Sequence, residues 1–153
     1  MNNDDQALLS HVHPPDWINP LPQNPYDVVV LGAGTAGLVV AAGVAGLGIG
    51  LKIALVEKQR MGGDCLNFGC VPSKALIRAA RVLGEMERSP SLGITFATEP
   101  DIHFAAVMER MQKVRAEMSH QDSASRFKNL GVDVFFGSAH LDRKSTRLNS
   151  SHT

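Results

Sequence analysis

Between Tyr26 and Lys58 the chain reads YDVVVLGAGTAGLVVAAGVAGLGIGLKIALVEK, and few folds accommodate that order of residues. Val28 to Leu31 is a short, continuous, β-branched apolar run, the mark of a parallel strand buried on both faces. Gly32, Gly34 and Gly37 follow as G-x-G-x-x-G. The first glycine permits a tight turn, the second lets the backbone approach a pyrophosphate, and the third lets a helix pack closely on the strand. A helix is expected from about Thr35 to Leu47, its free N–H groups and positive dipole end aimed at the phosphates. A second strand, Lys52 to Val56, ends in Glu57, where a carboxylate can accept hydrogen bonds from both ribose hydroxyls of an adenosine, with Lys58 beside it. Strand, glycine turn, helix and strand together predict an α/β fold with a mostly parallel sheet in three layers, built to hold a dinucleotide.

Val28 to Leu51 carries no charge and meets the length rule for a membrane span. Its glycines at fixed offsets and its β-branched start fit a buried strand–turn–helix instead, so no membrane association is expected. Charge balance speaks against another class: the formal net charge is zero and no basic block occurs, so nucleic acid is not an expected partner. Two cysteines in 153 residues do not make a secreted disulfide scaffold. They fit a cytoplasmic protein whose thiols serve chemistry or are simply buried. Residues 1–25 lack the basic-then-apolar order of a signal peptide, and their five prolines predict an extended arm, with Trp17 able to pin it to the body. His11 and His13 on that arm are read as solvated, and no metal site is expected.

Both cysteines fall in GGDCLNFGCVPSK, Gly62 to Lys74. A zinc site needs about four ligands, and this segment supplies two. A structural cross-link over so short a loop gains little unfolded-state entropy. An inert buried pair is a third reading, and a working redox pair a fourth. The neighbours favour the last. Pro72 suits the first turn of a helix whose period shows in Leu76, Ala80, Leu83 and Glu87. Cys70 would then sit at a helix N-terminus, where free N–H groups lower a thiol's pKa. Residues five apart in a regular helix are separated by about 7.5 Å in rise alone, beyond the roughly 6.8 Å between Cα atoms that a disulfide tolerates. Cys65 is therefore expected on a non-helical or distorted turn, with Asn67 and Gly69 supplying the distortion.

GGDCLNFGCVPSK resembles the active-site segment of the flavin-dependent pyridine nucleotide–disulfide oxidoreductases, which include dihydrolipoamide dehydrogenase, glutathione reductase and mercuric reductase. The glycine turn and Glu57 resemble the same family's FAD-binding start, and the likeness runs from Tyr26 to about Leu141. The leader HPPDW, the turn AGTAGL and the segment GGDCLN…GCVPSKALIRAA together look most like the mercuric-reductase-like members. The resemblance implies a Rossmann-like FAD-binding domain, of which this is the N-terminal part. It implies that Cys70 lies against the flavin, Cys65 exchanges with substrate, and Lys74 stabilises the reduced flavin. Gly63 and Asp64 would contact FAD near its pyrophosphate and ribityl chain, although many members carry threonine where this chain has Asp64. Ala36 and the stretch Gly137 to Ala139 would complete the FAD site, the latter at the adenine. Electrons would pass from NADPH or NADH, bound by a domain outside this chain, through FAD to the Cys65–Cys70 disulfide. The acceptor would be a mercuric ion or a small disulfide, and the full-length protein would be a homodimer. The alternative is a flavin- or dinucleotide-binding module without redox turnover.

Asp101 is a candidate N-cap for a helix marked by Phe104, Val107, Met111, Val114 and Met118, a stripe read as core or helix-pairing surface. Helix is expected again from Gln121 to Leu130, ending at Gly131, before a strand over Val132 to Phe136. His103, His120 and His140 lack partner spacings. Asp142 to His152, DRKSTRLNSSH, is polar and without period, and reverse-translated it resembles a common short-read sequencing adapter. It is set aside from the fold as an apparent artefact, so the domain is expected over 26–141 and the natural chain is expected to continue past Leu141. Without nicotinamide and dimerisation domains, the chain alone is expected to be inactive.

Overall fold

The computed structural model describes residues 2–23 and 25–141; the adapter-like run lies outside them. Three parallel strands, β1 (Val28–Leu31), β2 (Ile53–Glu57) and β3 (Val132–Phe136), form one sheet in the order β1-β2-β3. Val30, Leu55 and Val134 stand in register on one face. Six helices accompany the sheet: α1 (Asn3–Val12), α2 (Thr35–Gly46), α3 (Gly63–Asn67), α4 (Cys70–Arg88), α5 (Phe104–Ser119) and α6 (Ala124–Asn129). The main core lies on the face of Val30, Leu55 and Val134, covered by Leu8 and Val12 of α1, Leu38 and Ala41 of α2, Leu66 of α3 and Phe127 of α6. Burying such side chains away from water is the main force holding the helices to the sheet. No helix among the described residues is long and apolar enough to cross a membrane; the uncharged run divides into β1, the glycine turn and a 12-residue helix.

Several expectations are corrected. β1 is not buried on both faces: Val29 and Leu31 are exposed. Side chains alternate across a strand, and the second face carries only a small cluster of Ala54, Val56 and Phe135 with Tyr26 and Ala139. A second helical layer is absent among the described residues. The arm is not extended throughout, because residues 3–12 are helical. All five prolines stand at position 14 or later, so none interrupts α1. The Asn2 side chain accepts from the Asp5 N–H (2.8 Å), and Asp4 and Asp5 complement the helix dipole. Trp17 pins the segment after α1 to the sheet, its Nε1 donating to Val134 O at 3.2 Å. Asn19 then bonds both backbone groups of Phe136: its Nδ2 donates to the carbonyl (3.0 Å) and its Oδ1 accepts from the N–H (2.8 Å).

Asp101 does not cap α5. His103 holds the cap position, and the Asp101 carboxylate meets the His103 ring instead, 3.3 Å away. Of the apolar stripe on α5, Met111 is buried while Phe104 and Met118 are exposed. The helix expected over Gln121–Leu130 is broken, since a short 3-10 turn ends at Asp122 and Ser123 is extended. Ser123 Oγ accepts from the Arg126 N–H (3.3 Å) and starts α6 as a new helix.

Candidate active site

The glycine turn follows directly from the sheet ladder. Gly32, at φ +94°, donates its N–H to Val56 O (2.8 Å) and turns the chain out of β1 in a conformation that side chains resist. Gly37 is required by contact, for a Cβ there would stand 1.9 Å from Gly32 O. Helix α2 begins after Gly34 with no side-chain cap, leaving its first N–H groups without partners from the protein's side chains. A Cβ at Gly34 would approach only the Gly63 Cα, at 3.9 Å. The protein itself therefore leaves room for a ligand at this position.

The cysteine segment locks onto that turn. Gly62 N–H donates to Ala33 O (2.8 Å), and a Cβ on Gly63 would lie 2.7 Å from Gly34 Cα. Asn67, 2% exposed, closes the loop by donating Nδ2 to Met61 O (3.1 Å) and Gly63 O (2.8 Å). Cys65 lies inside α3, a single helical turn, rather than on a non-helical turn. The interruption expected from the disulfide limit comes after it, at Phe68 and Gly69, whose N–H groups both bond Asp64 O (2.9 and 2.6 Å). Helix α4 then starts at Cys70, with Pro72 in its first turn.

Both cysteines are free thiols, Cys65 half-buried and Cys70 exposed. The Cys70 thiol, as a donor, is the main cause holding the Cys65 thiol below its ordinary range; the Thr35 hydroxyl, the Cys70 N–H and the Lys74 ammonium add to it against the effect of burial. Cys70 is pushed the other way, chiefly by the Cys65 thiol. For Cys70 that direction is opposite to the one expected at a helix N-terminus. The two thiols perturb each other, so their proton losses belong to the pair rather than to either sulfur alone.

Part of the expected cofactor set shares one surface. Glu57, Lys58, Gly63 and Asp64 line one groove of about 800 Å³. Glu57 Oε2 accepts from the Ala33 N–H (2.7 Å) and Oε1 from the Gln59 N–H (2.7 Å). Each carboxylate oxygen retains a lone pair for a ribose hydroxyl. Gly137 joins them, donating its N–H to Glu57 O (2.9 Å), whereas Ala139 packs under the second face of the sheet. Ala36 and Lys74 are exposed and line neither this groove nor the next cavity. That cavity, about 370 Å³, takes Cys65 together with Thr35, Asp122 and Arg126. Burial pushes the Asp122 carboxyl up, and Arg126 partly offsets it. An uncapped helix start, a side-chain-free Gly34 and a strand-end carboxylate fit the pyrophosphate and ribose of FAD. Sequence reasoning missed Thr35 and Asn67. Thr35 sits in the first turn of α2 inside the motif itself, and Asn67 carried a signal only as a source of distortion.

Residues 26–152 match the family model described as pyridine nucleotide-disulphide oxidoreductase. A dihydrolipoyl dehydrogenase of Bacillus subtilis is 46% identical over 116 residues, 73% of this chain and 23% of that protein. A mercuric reductase of Staphylococcus aureus is 29% identical over 128 residues, 83% of this chain and 23% of that protein. The crystal structure of LpdA from Mycobacterium tuberculosis superposes with a TM-score of 0.58 at 28% identity, over 72% of this chain and 23% of that one. The chain spans about a quarter of the length of these relatives.

Proposed function

The chain belongs to the pyridine nucleotide-disulphide oxidoreductase family, and from that premise we propose that it supplies the dinucleotide groove and redox thiols of an FAD-dependent disulfide oxidoreductase. The observation that carries the reading is the placement of the two free thiols, Cys65 on a turn that interlocks with the glycine motif and Cys70 at the start of α4.

The bound flavin supplies two-electron transfer from NADPH or NADH to the disulfide. The protein's own residues do the rest. The Cys65 thiolate, stabilised by Cys70 and Thr35, attacks one sulfur of a disulfide substrate, forming a mixed disulfide and expelling a thiolate that takes a proton. Cys70 then loses its proton and attacks Cys65. The second substrate thiolate leaves and the Cys65–Cys70 bond re-forms, ready for two electrons and two protons. Lys74 favours the anionic state of both sulfurs. Glu57 orients the ribose, and the α2 N-terminus with Gly34 and Gly63 holds the pyrophosphate. Lys58, Asp64 and Gly137 border the same site. A mercuric ion could replace the disulfide, ligated by the same two sulfurs. Both acceptors are suggested by the names of the relatives. The reading extends to a homodimeric full-length protein in a reducing compartment, and to a 153-residue chain that does not turn over alone.

The test is NADPH- and NADH-dependent reduction of a lipoyl disulfide and of mercuric ion by the full-length protein, beside Cys65→Ser and Cys70→Ala variants. Loss of turnover in both variants with flavin still bound is the expected result. Undiminished turnover in either variant would remove the thiol pair from the reaction, and a wild-type protein that binds flavin without turnover would leave only a flavin-binding module.

A further inference from the structure

The arm reaches the dinucleotide groove, a role that neither the glycine motif nor the cysteine segment assigns to it. Its path is fixed at successive points. Asp5 pairs with Arg115 (3.2 Å), whose guanidinium also donates to Asn67 O (3.1 Å) in the cysteine turn. Leu8 and Val12 are fully buried in the core that holds Leu66. Val12 O then accepts from the Met61 N–H (3.0 Å), and the His13 ring bonds the Gln59 carbonyl. The loop after β2 is therefore tied to the arm on both sides of Arg60. His13 lies against Phe136, ring centroids 4.4 Å apart and tilted by 35°. His13 and Pro15 line the same groove as Glu57, Lys58 and Asp64.

We infer that His13 and Pro15 form one wall of the FAD groove, and that the arm straps the bound dinucleotide in place. The inference rests on the FAD reading of the groove. A wall already fixed by buried anchors and backbone hydrogen bonds costs little ordering on binding, so it slows release rather than opposing entry. The anchors sit away from the groove: Asp5, Leu8 and Trp17 hold the arm whatever stands at position 15. Pro15 is exposed in the groove wall, so a charge placed there acts on the diphosphate with little effect on folding.

The test measures FAD release from the full-length holoprotein by recovery of flavin fluorescence, with thermal unfolding of the apoprotein alongside. Pro15→Glu is expected to speed release about fivefold and Pro15→Lys to slow it by a similar factor, in line with a partly exposed charge interaction. His13→Ala, which also loses the bond to the Gln59 carbonyl and the contact with Phe136, is expected to speed release about tenfold, beyond what its lowered apoprotein midpoint accounts for. Opposite signs at position 15 are the decisive readout, because a purely structural arm would shift both variants the same way. Equal release from wild type and all three variants overturns the wall. Faster release that only tracks a lowered apoprotein midpoint, as expected of the distant Asp5→Ala variant, overturns it as well. A wild-type protein that takes up no FAD overturns the wall and the FAD reading together, whereas retention in wild type with unaltered variants defeats the wall alone.

Discussion

The two glycine-bearing segments, Gly32–Gly37 and Gly62–Gly69, use the same missing side chain for different reasons. In the first, Gly37 has no Cβ because Gly32 O, five residues earlier in the same turn, occupies the space. In the second, Gly63 has none because Gly34 does, from the other segment. One constraint is local and recurs wherever the turn occurs. The other exists only after the two segments meet, and it couples the dinucleotide groove to the helix turn that carries Cys65.

Substitutions can break that contrast. Gly37→Ala should have the largest effect, since its Cβ meets backbone rather than a movable side chain; a loss of about 3 kcal/mol or more is expected in denaturant unfolding. A loss below about 1 kcal/mol would mean the turn can open without cost. Gly63→Ala should cost about 2 kcal/mol, combining a left-handed φ of +54° with the close approach to Gly34. Unlike Gly37→Ala, it should also alter thiol reactivity at Cys65, read by alkylation of the reduced protein. Gly34→Ala, which meets no protein atom closer than 3.9 Å, should leave stability within about 0.5 kcal/mol while weakening FAD binding. A large stability loss would show that this glycine serves the fold and not the ligand. The smallest effect is expected for Thr35→Val. It removes a donor that favours the Cys65 thiolate, so the pH midpoint for Cys65 alkylation should rise toward that of an ordinary thiol. A fall would reverse the assigned direction of that hydrogen bond.

Legibility in the sequence followed the same division. β1, the turn, α2 and β2 were readable because Gly32, Gly34, Gly37 and Glu57 answer to constraints within one βαβ unit. The cysteine pair was readable because its spacing cannot fit regular helix. The acidity of its members was not, since the mutual effect of the two thiols and the proximity of Thr35 from another helix are tertiary facts. Helix α1 escaped because prolines at 14 and beyond were weighed against residues 3–12, and because the burial that stabilises Leu8 and Val12 comes from distant elements. The cap signal at Asn2 was present in the sequence. The break at Ser123 was present too: a serine ahead of Ala124 starts a new helix by accepting from Arg126. Exposure of Val29 and Leu31 was beyond sequence reading, because a strand does not say which of its faces a neighbouring layer will cover.

Asn19 gives the sheet a direction of growth. Its side-chain amide occupies both backbone groups of Phe136, and Trp17 takes the Val134 carbonyl, so the outer border of β3 offers little template to another strand. β1 pairs only with β2 among the described residues. Among the described residues a further strand finds its open border beside β1, and a chain whose arm has not docked presents the β3 border as well. Placing residues 14–19 thus acts as protection against self-association during folding, a service unrelated to electrons or flavin.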